Sequence, residues 1–305
     1  MSPLRLGRIA GTDIEARPSL LIAAAVLVLL IAPRYAPTDA PAYAIAAVLV
    51  GALYLSILLH ELAHLAAAKA YRMPVRAVTL HLMGGETAIE GGSRRPGQEI
   101  VTAAVGPLVS AVLALLAVSA SRVVGSIPGD VLWLLGWLNL LLALFNLVPA
   151  LPLDGGRVLR GAVWALTGSQ SRGLVVTAWS GRGCAVLLIG GVVALNGGGD
   201  GSRLVLDVLI AGVLAVFLWL GAESALRQAR WQRRVGELSA RALARPLPEG
   251  AVPDWPGLDV DARGETLVRA LAQDPAERYL LLAPDGTPVG VLERSDVDEA
   301  YRRQP

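Results

Sequence analysis

Residues 42–68 read AYAIAAVLVGALYLSILLHELAHLAAA, an apolar run interrupted near its end by His60, Glu61 and His64. On a helix, positions four apart share a face, so the two imidazoles can grip one metal ion. Glu61 stands beside them, where it can take a proton from a water held by that metal. Of the chain's 3 histidines, two are in this motif. Ionisable groups at membrane depth are costly and usually functional. The spacing therefore predicts a zinc site on a membrane helix.

Composition supports the membrane reading. The 305 residues are 54% hydrophobic and 17% charged, with a mean hydropathy of +0.55. So few charges could not cover a soluble surface of this size. A net charge of +2 gives no basis for nucleic-acid binding, and none is expected. The single cysteine, Cys184, excludes a disulfide framework and a Cys-rich metal site. At the N-terminus, Arg5, Arg8 and Arg17 precede a short apolar run, as in a secretory signal. Pro33, Pro37 and Pro41 make a poor cleavage region, so the run is read as a retained first helix.

Six apolar spans are expected: Ser19 to Ala32, Ala42 to about Lys69, Glu99 to Ser121, Val131 to Val148, one within Leu174 to Leu195, and Leu204 to Leu220. Under this topology most arginines fall on one side, while Arg34, Arg122 and Arg203 fall in short loops on the other. The positive-inside rule then places both termini in the cytoplasm and the zinc motif near the cytoplasmic end of its helix. Arg182, early in the fifth span, is expected to snorkel towards that interface. Between the second and third spans, Val75 to Ile89 alternates and is rich in β-branched residues, which predicts two short strands bent at Gly84-Gly85. Such a hairpin is either a plain connection or an open edge that pairs with an extended peptide. His81, within it, reads as structural.

A catalytic zinc usually takes three protein ligands and a water. The third candidate is Asp154, in the segment from Asn146 to Arg157 that ends the fourth span. Pro149 and Pro152 break the helix there, and Gly155-Gly156 permits a tight turn. Irregular backbone at membrane depth is tolerated where it lines a cavity or is buried in protein. An aspartate on such a turn could point back towards the histidines. Read alone, the same residues could be a helix stop followed by an Asp-Gly turn.

Together, the zinc motif and the later Asn146-x-x-Pro149-x-x-Pro152-x-Asp154-Gly155-Gly156 resemble the site-2 protease family of intramembrane zinc metalloproteases. The resemblance covers most of residues 1–220 and extends to Gly84-Gly85 and to Gly106-Pro107. It implies zinc held by His60, His64 and Asp154, with Glu61 as the catalytic base and Asn146 beside the scissile peptide. Ser110 stands where many relatives carry asparagine, so any role carried over to that position is weakened. The compact subgroup with a cytoplasmic tail is the nearest match. The implied substrate is a single-pass transmembrane protein, such as an anti-sigma factor or a tethered regulator, cut within the lipid bilayer in regulated intramembrane proteolysis.

From residue 227 the texture becomes soluble. Tyr279 to Leu282 reads as a strand, Pro284-Asp285-Gly286 as a turn, Pro288 to Leu292 as a returning strand, and Ser295-Asp296 as a helix start. The pattern is similar to a cystathionine-β-synthase (CBS) repeat. Only one repeat is evident, and Glu293 replaces the usual Ser or Thr. The tail therefore reads either as a docking domain, with a homodimer formed through it, or as a sensor of adenine nucleotides. The expected fold is an α-helical polytopic membrane protein of about six transmembrane helices. It carries a short membrane-associated β-hairpin and a small α/β cytoplasmic C-terminal domain. Residues 1–226 form the protease domain and 227–305 the tail. The expected location is the plasma membrane. The alternative is a catalytically silent membrane sensor acting through its tail, which the intact Glu61 disfavours.

Overall fold

The computed structural model describes residues 3–35, 40–82, 84–196, 201–247 and 254–303. It divides into two compact units, Met1–Ala225 and Leu226–Pro305. The first unit begins with strands β1 (Leu4–Ile9) and β2 (Thr12–Ala16), then helices α1 (Ser19–Ile31) and α2 (Ala40–Ala70). Strands β3 (Val75–His81) and β4 (Gly84–Ile89) follow, then α3 (Pro96–Val124), α4 (Ser126–Asn146), α5 (Asp154–Thr167) and α6 (Gln170–Asn196). Helix α7 (Gly201–Glu237) runs on into the second unit.

Among the described residues, 5 helices are long and apolar enough to cross a bilayer: α2, α3, α4, α6 and α7. The first expected span, α1, has only 13 residues. At 1.5 Å per residue it reaches about 20 Å, short of a hydrocarbon core of about 30 Å. Strand β2, just before α1, pairs in parallel with β3, just after α2. Both ends of the α1–α2 pair therefore lie in one sheet, on one side.

The expected hairpin at residues 75–89 is half of a four-stranded sheet ordered β1-β2-β3-β4. The N-terminal half was not anticipated: the arginine-rich segment before α1 folds back as β1 against β2, with Arg5 paired to Asp13. On the buried face, Ile14, Val75 and Val78 pack with Leu65, Ala68 and Met73. This contact sets the sheet against the end of α2 that carries the zinc motif.

Two further features differ from the sequence reading. Asp154 is not on a loose turn but is the first residue of α5, a helix that sequence reasoning did not anticipate. Its neighbouring glycines are needed for close approach. A Cβ on Gly155 would lie 2.3 Å from the Leu147 carbonyl oxygen, and one on Gly156 2.4 Å from the Ala150 carbonyl carbon. The proline-rich connection thus folds tightly onto the start of α5. Arg182, for its part, is held within the helices: it donates to Glu223 Oε2 at 2.9 Å. Its guanidinium also lies 4.9 Å from the Trp179 ring and 5.0 Å from the Trp219 ring. A charge among apolar spans is retained by such partners. Deeper in the bundle, Asn139 on α4 donates to Ser56 on α2 at 3.2 Å. Such a bond joins two membrane helices with roughly 1 kcal/mol or less.

In the second unit, β5 (Gly257–Asp259), α8 (Gly264–Gln273), β6 (Arg278–Leu282), β7 (Pro288–Glu293) and α9 (Arg294–Arg303) form a three-stranded sheet ordered β5-β6-β7 with two helices. The strand, turn and returning strand expected at residues 279–292 match β6 and β7. Its core gathers Leu258, Leu267, Leu271, Leu281, Leu292 and Val297 around Tyr279. The Tyr279 hydroxyl donates to the Asp274 carbonyl at 2.7 Å and accepts from the Ala276 N–H at 2.8 Å, so the buried ring is satisfied at its polar tip.

Candidate active site

Helix α2 presents His60, Glu61 and His64 in its sixth and seventh turns, and all three are buried. Helix α3 packs across them through small residues: Thr102, Gly106, Ser110 and Ala114 recur every fourth position and are all buried. Gly106 lies directly under the imidazoles. The same face orients both rings. His64 Nδ1 donates to the Thr102 carbonyl at 2.6 Å, and His60 Nδ1 is 2.9 Å from Ser110 Oγ. Pro107, in the same helix, has no N–H to donate to the Ala103 carbonyl one turn earlier.

With both Nδ1 atoms engaged, the Nε2 atoms are left free to hold a metal ion. They converge on Asp154: His60 Nε2 and His64 Nε2 each lie 3.2 Å from Asp154 Oδ2. In a tetrahedral zinc site with bonds of about 2.0–2.1 Å, neighbouring ligand atoms are about 3.3–3.4 Å apart. Both His–Asp separations therefore match edges of such a zinc site. The Glu61 carboxylate belongs to the same cluster, with one ligand atom from each of His60, Glu61 and His64 within 4.8 Å of one another. Thr87 on β4 holds Glu61, donating to its Oε2 at 2.7 Å, and Gly85 lies against its side chain.

These groups line a cavity of about 720 Å³ whose wall also includes His81, β4, Asn146 and Phe217. The structure thus brings together His60, Glu61, His64, Asp154 and Asn146. Asn146 donates to the Leu142 carbonyl of its own helix at 3.0 Å. His81 lies in the wall rather than at the metal cluster. The sequence reading gave no role to Thr87, Thr102 or Ser110. A signal for the last two was present, the four-residue recurrence of small residues on either side of Gly106. Ser110 meets His60 Nδ1, a contact that supports the ring. Ser110→Ala should weaken zinc binding about 10–100-fold, as loss of such supporting bonds does elsewhere. Competition with a chelator measures it, and unchanged affinity would remove Ser110 from the site.

Comparison with known proteins gives one consistent result. The sequence profile of Peptidase family M50 matches residues 48–128 and 123–190. A Synechocystis sp. protein, provisionally named zinc metalloprotease sll0528, is 33% identical over 256 residues, covering 80% of this chain and 63% of its own length. A Mycobacterium tuberculosis protein, provisionally named zinc metalloprotease Rip3, is 35% identical over 224 residues, covering 70% of this chain and 55% of its own. The chain thus spans between about half and two thirds of the length of these relatives. Among solved structures, the site-2 protease from Methanocaldococcus jannaschii superposes with a TM-score of 0.51 at 27% identity, covering 74% of this chain and 96% of that one.

Proposed function

The chain belongs to the M50 peptidase family, the site-2 proteases, and from that premise we propose that it is a zinc-dependent endopeptidase that cuts substrates within the membrane. The observation that carries this reading is the convergence of His60 Nε2, His64 Nε2 and Asp154 Oδ2, with Glu61 beside them, in a cavity among apolar helices.

His60, His64 and Asp154 hold the metal, and Asp154 offsets part of its charge. When bound there, zinc would supply Lewis-acid polarisation of a peptide carbonyl and lower the pKa of water towards about 7. Glu61, fixed by Thr87, accepts the proton from the attacking water and passes it to the departing amine nitrogen. Asn146, in the cavity wall, holds the scissile carbonyl with the amide hydrogen that its own helix does not use. A helical substrate hides its carbonyls in its own hydrogen bonds, so it must unwind before it is cut. Strand β4, at the edge of its sheet and in the cavity wall, pairs with the unwound segment.

The substrate is a single-pass membrane protein, cut in regulated intramembrane proteolysis. The protein sits in the plasma membrane with both termini in the cytoplasm, as the arginine asymmetry favours. The second unit acts as a CBS-like regulator that dimerises or binds an adenine nucleotide. Metal removal tests the enzymatic reading. In detergent, a chelator should abolish cleavage of single-span substrates that carry helix-breaking residues, and added zinc should restore it. Cleavage that survives the chelator would refute a zinc mechanism.

A further inference from the structure

Beyond Asp154 the cavity wall holds a second polar cluster that the catalytic groups do not use: Glu99 on α3 with Arg157 and Arg160 on α5. Glu99 is fully buried, and its Oε1 meets Arg160 Nη2 at hydrogen-bond range. Arg157 is placed differently. Its nearest carboxylate oxygens, Glu99 Oε1 and Asp154 Oδ1, are both 3.7 Å away. Both distances are too long for hydrogen bonds. Among the described residues, no hydrogen bond forms to its guanidinium, although the side chain is only 24% exposed.

Two cations thus face one buried carboxylate that Arg160 already neutralises. Arg157 keeps an open fork of five N–H donors in the wall of the catalytic cavity. A substrate filling the cavity would displace the solvent around that fork, and donors removed from water need partners. The cluster is incomplete in other atoms too, since Glu99 Oε2 and Arg160 Nε are buried without partners.

The proposed reaction supplies what the fork lacks. An extended peptide has two edges of backbone polar groups. Pairing with β4 satisfies one edge and leaves the carbonyls of the other without partners inside the bundle. Glu61 and β4 form one part of the wall, through Gly85 and Thr87, whereas Arg157 lies beyond Asp154 on a different element. We propose that Arg157 is a substrate-binding residue whose guanidinium donates to backbone carbonyl oxygens on the edge of the unwound substrate that β4 leaves unpaired. This inference rests on the protease reading, because it needs an extended peptide in the cavity. The buried Glu99 carboxylate attracts the guanidinium from 3.7 Å; Asp154 stays with the metal.

The test is a binding measurement on the full-length, zinc-loaded Glu61→Gln protein in detergent, so that nothing is turned over. The probe is a fluorescent apolar peptide of about 20 residues, long enough to span, with Pro-Gly at its centre to open the helix. Adding Arg157→Met should weaken peptide binding about tenfold, the scale of a hydrogen bond to a charged group, with zinc affinity unchanged. Arg157→Lys should recover part of the loss, since it keeps the charge without the fork. Unchanged peptide affinity in Arg157→Met overturns the proposal. So does a parallel loss of zinc, which would make Arg157 only a support for Asp154. If the parent protein binds zinc and peptide as expected but the wild type never cleaves, the protease reading fails and the binding role stands. A parent protein that binds no peptide overturns both.

Discussion

Glu61→Gln should keep its zinc and lose cleavage by about 10²–10⁴-fold, the usual contribution of a general acid–base group. The substitution preserves shape and the contact with Thr87 but removes the acceptor for the water proton. Glu61 is not one of the three groups that converge at 3.2 Å, so metal retention is the expected companion result. Zinc content by elemental analysis and cleavage of a reconstituted single-span substrate read the two effects separately. Cleavage near the wild-type rate would remove Glu61 from the chemistry. Loss of zinc with activity would make it a ligand instead of a base.

Gly106→Ala should abolish zinc binding altogether. A Cβ at Gly106 would lie 2.3 Å from His64 Nε2 and 2.6 Å from His60 Nε2, against the two atoms that must face the metal. Relief would require moving α3 away from α2, or turning both rings off the Ser110 and Thr102 contacts. Interiors packed this closely do not absorb such a shift without cost. Isothermal titration with zinc measures the outcome, and wild-type affinity in Gly106→Ala would mean that the helices are looser than the packing implies. Gly106 and Ser110 lie on one helix stripe, but their variants differ in kind. Gly106→Ala blocks the position, while Ser110→Ala only releases a ring.

Part of this site is legible in the chain because its chemistry is local. His60, Glu61 and His64 sit within five residues, and the helical period alone puts the imidazoles on one face. The Asn146 to Gly156 segment is readable through its prolines and glycines, although its conformation is not. The prolines suggested a helix stop with a turn, whereas Asp154 begins a new helix. A carboxylate in a first turn complements the helix dipole, but that preference is too weak to fix a boundary after two prolines. The N-terminal hairpin was hidden for a different reason. Its turn places Ala10 at φ 49° and Gly11 at φ 76°. A two-residue hairpin turn with both φ positive is normally signalled by Asn-Gly or Asp-Gly. Ala10 carries no such signal, and β2 is completed by β3, some sixty residues away in sequence. The environments of Thr87 and Arg157 also arise only when β4 meets α2 and α3 meets α5, which no local pattern encodes. Arg182 could be placed in a span from sequence, but its bond to Glu223 joins two helices whose register the chain does not declare.

Everything proposed for the reaction depends on Asp154 sharing one metal with His60 and His64. X-ray absorption at the zinc edge of the purified protein tests that most directly. The account predicts one zinc per chain, with two imidazole nitrogens at about 2.0–2.1 Å and a carboxylate oxygen at about 2.0–2.2 Å that disappears in Asp154→Ala. A protein that binds no zinc, or a spectrum that Asp154→Ala leaves unchanged, would contradict it.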